Sequence, residues 1–223
     1  MQKIKNNMTR IRFLFIVCIL MFLPACRNQS FVLQEGDLLF TVGKGESELL
    51  KAIQNSTSGK QEIPFSHVGI VHIENDKLFV LEATSPQGVV ITPLDSFFEE
   101  TARIDGKSLM AVGRLKEPFR YSIRDAITNA QKHIGKPYDY AYDEDNDAYY
   151  CSELVRYAFT DSLGKPLFEP LAMSFKNLET EEIDPYWIQH FERLHTPVPE
   201  GAPGTNPADM AKSNLIDIVH TYY

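Results

Sequence analysis

Two apolar segments joined by a short polar turn place the strongest constraint on how this chain can fold. HVGIVHI (67–73) and KLFVLEA (77–83) are rich in β-branched and other apolar residues, and Asn75 and Asp76 between them are typical turn residues. The sequence therefore predicts a β-hairpin, in which the position of the tight turn fixes the register of both strands.

That register places Gly69 opposite Glu82 and His67 opposite Thr84. Because residues two positions apart share a face of a strand, His67 and Glu82 are predicted to lie on one face, diagonal to each other. Gly69 leaves room there for the imidazole and the carboxylate to meet. The alternative is a strand-end Glu82 that reaches solvent and a His67 that bonds the backbone, since each arrangement is common on its own.

The rest of the chain predicts an α+β domain, because a run of strands has helices before and after it. A short helix is predicted at ESELLKAIQN (46–55). Further strands are predicted at DLLFTV (37–42), GVVITP (88–93) and SLMAVGRL (108–115).

A longer helix is predicted after the last of these strands. Ser122 and Asp125 resemble a capping box ahead of apolar residues at helical spacing. Gly135 and Pro137 end that helix. A turn-rich acidic loop, 138–148, then leads to the next helical segment.

That segment, YYCSELVRYAF (149–159), contains Cys151, and apolar residues follow the cysteine at i+3, i+4, i+7 and i+8. Cys151 therefore begins the buried face of a predicted helix. Unpaired N–H groups and the helix dipole at this end favour a thiolate. The alternative is a buried cysteine that acts as a small hydrophobic residue, but the position of Cys151 in the first turn favours a reactive thiol.

The N-terminus resembles a bacterial lipoprotein signal. Residues 1–12 carry four basic residues and no acid, and an apolar run follows at 13–23. A run of about 11 residues is too short to span a bilayer of about 30 Å. LPAC (23–26) resembles a lipobox, which predicts cleavage before Cys26 and lipidation of its thiol; the alternative is an ordinary signal peptide with a chance cysteine.

The predicted organisation is a signal peptide at 1–25, a tether at 26–34 and a single domain at 35–223. Of the three cysteines, Cys18 would be removed with the signal and Cys26 would carry lipid, which leaves Cys151 as the free thiol of an envelope protein. A single remaining cysteine in an oxidising compartment indicates a reactive thiol or an intermolecular bond.

Charge argues against nucleic-acid binding. The chain has 22 Lys and Arg and 30 Asp and Glu, and removal of the four basic residues of the signal leaves 18 against 30, a net charge of −12. Such a surface repels phosphate backbones.

No cofactor or metal is predicted, since the sequence has no CxxC or HExxH, and no GxxxxGK or GxGxxG. The acidic run DEDND (143–147) lacks the glycine and the terminal glutamate of an EF-hand loop. We therefore interpret it as a solvated rim or lid beside the cysteine.

Four stretches together resemble the permuted papain-like cysteine amidases, the YaeF/YiiX group of the NlpC superfamily: FSHVGIV, the Glu of VLEAT, KPYDYAYD and YYCSELV. The resemblance extends over about residues 35–160 and includes EGDLLF (35–40). It implies a circularly permuted papain-like fold, with an antiparallel sheet or small barrel packed against the cysteine helix. It also implies Cys151 as nucleophile, His67 as base and Glu82 as the group that orients the base.

The oxyanion hole is less well defined by the sequence. The backbone N–H of Cys151 at the helix start is one predicted donor. Tyr138, Tyr140 or Tyr150 could supply a hydroxyl, although buried tyrosines more often fill core.

Together with the lipobox, the family resemblance predicts a lipid-anchored envelope hydrolase that cleaves an amide through a thioester; the resemblance implies a cell-wall peptide fragment or another small amide as substrate. Two alternatives use the same residues. One is acyl transfer or lipid deacylation, and the other is a module that binds a ligand without turnover.

Overall fold

The computed structural model describes residues 31–44, 48, 51–52, 55 and 63–223. Ten strands are found in this part of the chain: β1 Leu38–Thr41, β2 His67–Glu74, β3 Lys77–Thr84, β4 Gly88–Pro93, β5 Arg103–Ile104, β6 Lys107–Ser108, β7 Met110–Leu115, β8 Leu171–Ala172, β9 Pro203–Gly204 and β10 Ile216–Thr221. The helices are α1 Leu94–Glu99, α2 Ile123–Lys132, α3 Cys151–Ala158, α4 Pro185–Leu194 and α5 Pro207–Met210, and a 3₁₀ helix, Glu117–Ser122, precedes α2.

Six of these strands form one antiparallel sheet in the order β10-β7-β1-β2-β3-β4. The described strands leave β10 and β4 as its two edges. Of the antiparallel sheet and the small barrel that were expected as alternatives, the described residues therefore form the sheet. All the strands predicted from the sequence are present. The predicted strand at 108–115 is divided, since Ser108 ends β6 and Met110 begins β7.

The central hairpin has the predicted register. Asn75 and Asp76 adopt left-handed φ angles of 50° and 60°, as a two-residue turn of this kind requires. Ile70 pairs with Leu81 and Glu74 with Lys77. The same register continued to the other end of β2 places position 69 opposite position 82, as predicted.

The two faces of the sheet are covered by different helices. On one face, Val68 and Ile70 of β2 join a core with Ala126 of α2 and Leu154 of α3. On the other face, the buried Phe97 of α1 packs over the start of β2. Cys151 therefore lies in the helix layer of one face at the end of the sheet, whereas odd-numbered side chains of β2 project to the other face.

A buried ion pair connects the residue before β1 to β7. The carboxylate of Asp37 is 1% exposed and accepts two hydrogen bonds from Arg114, from Nε and Nη2, each 2.7 Å long. This bidentate geometry gives the aspartate of EGDLLF a structural role at the start of the sheet.

The predicted capping box at Ser122 is wrong, although α2 begins at the predicted place. The Ser122 hydroxyl donates to the carbonyl of Phe119 at 2.8 Å, and no side chain caps the helix. The cause is the preceding 3₁₀ helix, which continues directly into α2 and gives Ser122 helical dihedral angles. A capping serine needs an extended backbone instead.

Several predictions fall wholly or partly on residues that are not described. The signal peptide, Cys26 and most of the tether lie outside the described residues, and Leu33–Tyr223 form one compact unit. The described residues within the predicted helix 46–55 are all helical: Glu48, Lys51, Ala52 and Asn55. No helix in the described part of the chain is long and apolar enough to cross a membrane.

Gly69 is required by the close approach of its neighbours. A Cβ atom at this position would lie 2.3 Å from Val80 Cγ1 and 3.3 Å from the ring of Phe97. We expect Gly69→Ala to lower the free energy of unfolding by about 1–3 kcal/mol, the usual cost of overpacking, as measured by urea denaturation. Adding Val80→Ala should recover part of that loss, and a double variant whose loss is the sum of the two single losses would contradict the steric explanation.

Candidate active site

His67 and Glu82 meet on the sheet face that the hairpin register predicts. His67 is the first residue of β2, and its Nε2 lies 2.5 Å from Oε2 of Glu82 in β3. The imidazole side chain is 20% exposed and the glutamate side chain 7% exposed. The carboxylate is thus almost removed from water and directed at the ring, an arrangement that orients an imidazole and fixes its tautomer.

Cys151 occupies the first helical position of α3 and is nearly buried, at 5% exposure. Its Sγ is 3.9 Å from the carbonyl oxygen of Ser66, the residue before His67. The start of the cysteine helix therefore lies against the start of β2. As the first residue of α3, Cys151 also has a backbone N–H without a partner carbonyl one turn earlier.

The protonation of His67 reflects both neighbours. Burial by itself lowers the pKa of His67, but hydrogen bonds and charge interactions with Cys151 and Glu82 outweigh burial and raise the pKa to about 10. With Nε2 directed at Glu82, the ring's other nitrogen remains for the sulfur. The geometry therefore favours an imidazolium that lies between the sulfur of Cys151 and the carboxylate of Glu82.

The first turn of α3 contains a buried acid that the sequence reasoning missed. Glu153 is 2% exposed, and its Oε2 accepts a 3.3 Å hydrogen bond from the backbone N–H of Tyr150. Burial raises the pKa of Glu153 to about 8, with smaller contributions from Asp139 and Glu144. A glutamate three residues after the residue that precedes a helix is the second half of a capping box, so the spacing contained this signal.

The three tyrosines considered for the oxyanion hole have different surroundings. Tyr150 is 3% exposed, and its phenol oxygen accepts a hydrogen bond from the backbone N–H of Thr205 at 3.1 Å. Tyr140 is 38% exposed and its hydroxyl lies 2.6 Å from the hydroxyl of Ser85. Tyr138 is partly buried and packs edge-on against Tyr140.

The acidic loop between α2 and α3 is held in place by its own carboxylates. Asp139 accepts hydrogen bonds from two backbone N–H groups further along the loop, at 2.8 and 2.7 Å. Glu144 forms a 2.8 Å ion pair with Arg156 of α3, and Asp147 pairs with Lys136. The Glu144–Arg156 ion pair therefore connects the loop to the cysteine helix.

Comparisons with known proteins show the family and the fold of the chain. The family described as permuted papain-like amidase enzymes, YaeF/YiiX, C92 family, matches the chain over residues 32–220. YiiX of Escherichia coli K12 is 28% identical over 171 residues, which are 76% of this chain and 77% of that protein. The crystal structure of metalloprotein yiiX from Escherichia coli O157:H7 is 25% identical, with a TM-score of 0.65, and the match covers 85% of this chain and 98% of that one.

Proposed function

The chain belongs to the permuted papain-like amidases of the YaeF/YiiX, C92 family, and from this premise we propose that Cys151, His67 and Glu82 form its catalytic triad. Membership makes the protein a cysteine hydrolase. The observation that carries the assignment is the position of His67, which contacts Glu82 at 2.5 Å through Nε2 and interacts with Cys151 as well.

The mechanism follows from these positions. The Cys151 thiolate attacks the amide carbonyl carbon, and the carbonyl oxygen becomes an oxyanion near the N-terminus of α3, where the Cys151 N–H can donate to it. His67 gives its proton to the amine nitrogen as the C–N bond breaks, which leaves a thioester on sulfur. His67 then takes a proton from water, the hydroxide attacks the thioester, and the carboxylic acid leaves as Cys151 is restored.

Glu82 acts through the imidazole. Its carboxylate holds Nε2–H of His67 and stabilises the imidazolium that is present before attack and again after deacylation. Because Glu82 is 5% exposed, little water competes for that interaction.

The described residues do not fit a metal site, and no step of the mechanism is routed through a metal. The similar protein from Escherichia coli O157:H7 is described as a metalloprotein. In the part of this chain that the structure describes, no group of three or more His, Cys, Asp and Glu is placed to hold a metal ion. In the acidic loop, three carboxylates already have partners: Asp139 accepts backbone N–H groups, Glu144 pairs with Arg156 and Asp147 pairs with Lys136.

The proposed substrate is a cell-wall peptide fragment or another small amide. The net charge is −8 for the full sequence and −12 without the signal, and it disfavours the approach of anionic phospholipids and nucleic acids. The purified protein should be incubated with muropeptides, acyl-amides and phospholipids, and the products identified by mass spectrometry, with Cys151→Ala as the control.

Each product would indicate a different function. Release of an amine and a carboxylic acid by the wild type alone supports the proposal. A product in which the acyl group has moved to a second molecule would indicate an acyltransferase, and release of a fatty acid from phospholipid would indicate a lipid deacylase. Ligand binding without any turnover would indicate a binding module.

We also propose that the protein is anchored to a membrane of the bacterial envelope by lipid on Cys26. The motif LPAC and the basic, apolar segment before it support this location. Cys26→Ser should move the protein from the membrane to the soluble fraction or leave the precursor unprocessed, as judged by fractionation and intact mass. Membrane partitioning equal to that of the wild type would contradict lipidation and indicate a retained signal anchor.

A further inference from the structure

The residues on either side of Cys151 are held by a single residue from the far end of the chain. The Ser152 hydroxyl donates to the carbonyl oxygen of Thr205 at 3.0 Å. The backbone N–H of Thr205 donates to the phenol oxygen of Tyr150 at 3.1 Å. Thr205 thus uses both of its main-chain polar groups on the two neighbours of the cysteine.

The α3 side of these contacts is buried. Ser152 is fully buried and Tyr150 is 3% exposed. Little water competes for a hydrogen bond whose one partner is buried in this way, and the loss of the other partner leaves the buried group unsatisfied. The two bonds therefore constrain the first turn of α3 more strongly than surface contacts would.

Thr205 is itself fixed on both sides. Gly204 before it pairs with Leu171 in the β8–β9 ladder. Asn206 after it caps α5, since its Oδ1 accepts the backbone N–H of Asp209 at 2.8 Å. The segment between β9 and α5 is thus anchored in two secondary structure elements, and it presents Thr205 to the cysteine helix as a rigid support.

We propose that Thr205 is a positioning residue for the catalytic cysteine: its backbone N–H and C=O hold Tyr150 and Ser152 and so fix Cys151 relative to His67. The inference rests on the proposed role of Cys151 as nucleophile. His67 enters the site from β2, whereas the sulfur and the Cys151 N–H enter from α3. A rotation of the first turn of α3 would change both the contact of the Cys151 sulfur with His67 and the direction of the Cys151 N–H.

The test removes each contact from the side of α3, since a side-chain change at Thr205 leaves its main-chain groups in place. Ser152→Ala and Tyr150→Phe should each lower the rate of Cys151 alkylation by iodoacetamide at pH 6 by about 10–100-fold, the cost of a misplacement near 1 Å. Alkylation forms a bond from sulfur to carbon with loss of iodide and creates no oxyanion. A loss in Tyr150→Phe therefore cannot arise from a missing oxyanion donor.

Ser122→Ala is the matched control. Ser122 is 1% exposed and its hydroxyl also donates to a backbone carbonyl, at 2.8 Å, but at the start of α2. Both serine variants should lose similar stability in urea denaturation, while only Ser152→Ala should lose alkylation rate and, with an amide substrate, kcat at nearly constant KM.

The double variant should be only slightly slower than the slower single variant, because both contacts act through Thr205. Alkylation of Ser152→Ala and Tyr150→Phe at the rate of Ser122→Ala would overturn the positioning role and leave the proposed function intact. A wild type that alkylates with the pH profile of an ordinary thiol would contradict the nucleophile, and the positioning role would be rejected with it.

Discussion

Cys151→Ala is expected to abolish hydrolysis, with a loss in kcat of about 10⁴–10⁶-fold, the range found when the nucleophile of a triad is removed. An alanine methyl cannot form the thioester, so the reaction would have to proceed by direct attack of water. What remains would be the contribution of substrate binding and of the helix N-terminus. Steady-state kinetics on a cleaved amide would measure the loss.

The fold should survive this substitution. The thiol is nearly buried, its contact with the Ser66 carbonyl is long, at 3.9 Å, and the imidazole that it leaves behind keeps its contact with Glu82. Urea denaturation should therefore give a loss of about 1 kcal/mol, at the low end for removal of buried atoms. An unchanged kcat in Cys151→Ala would exclude the proposed mechanism, because the rate could not then depend on the sulfur.

Trapping of the intermediate provides a second readout. A slowly deacylated amide or ester should add the mass of its acyl group to the wild type and add nothing to Cys151→Ala. Cys151 is the free cysteine in the described part of the chain. An acyl group mapped by peptide mass to a residue other than Cys151 would contradict the assignment.

The parts of the site that could be predicted depend on local rules. The turn at Asn75 and Asp76 fixes the hairpin register from two residues, and the strand period of two then places His67 and Glu82 on one face. The cysteine helix was predictable for a similar reason, because its apolar spacing and its start at Cys151 lie within one short segment. In both cases the relative positions of the residues follow from the backbone geometry of a single hairpin or helix.

Other features depend on tertiary packing. The contact of Thr205 with Tyr150 joins residues 55 positions apart, and no periodicity in the sequence connects them. Glu153 has the spacing of a capping residue, but its burial depends on tertiary packing, which also brings Asp139 and Glu144 of the acidic loop near it. At Ser122 the local signal was overridden, since the 3₁₀ helix before it supplies a helical backbone where a cap needs an extended one.

The second large effect is expected at His67, and it depends on pH. The pKa of His67 is raised to about 10 because its contacts with Cys151 and Glu82 outweigh the opposite effect of burial. Imidazolium should therefore persist through neutral pH, and a cation beside a cysteine favours reaction of its sulfur as a nucleophile. Wild-type Cys151 should react with iodoacetamide at pH 6, where a thiol of ordinary pKa, about 8.5, is almost entirely protonated.

His67→Ala removes the positive charge, and the rate of alkylation at pH 6 should fall by about 100-fold relative to the wild type. At this pH, more than two units below the ordinary thiol pKa of about 8.5, only a small fraction of an unperturbed thiol is ionised. Amide hydrolysis should fall by about 10²–10⁴-fold, because the group that returns the proton to the leaving amine is lost. Glu82→Gln should lower both rates by a smaller factor, since the imidazole of His67 is still present but is no longer oriented by a carboxylate. The matched control is His72→Ala, which removes an imidazole from the opposite face of the same strand, where it binds Glu35 at 2.8 Å.

The sign of the stability effect follows from the same shift. The folded protein holds the His67 proton up to about pH 10, whereas the unfolded chain releases it near the ordinary pKa of 6.5. The stabilisation is therefore complete below about pH 6.5, declines as the pH rises and is lost above about pH 10. Urea denaturation from pH 6 to 10 should give a steeper decline for the wild type than for His67→Ala. Parallel declines, together with equal alkylation rates at pH 6, would mean that His67 does not form the ion pair and that another group activates Cys151.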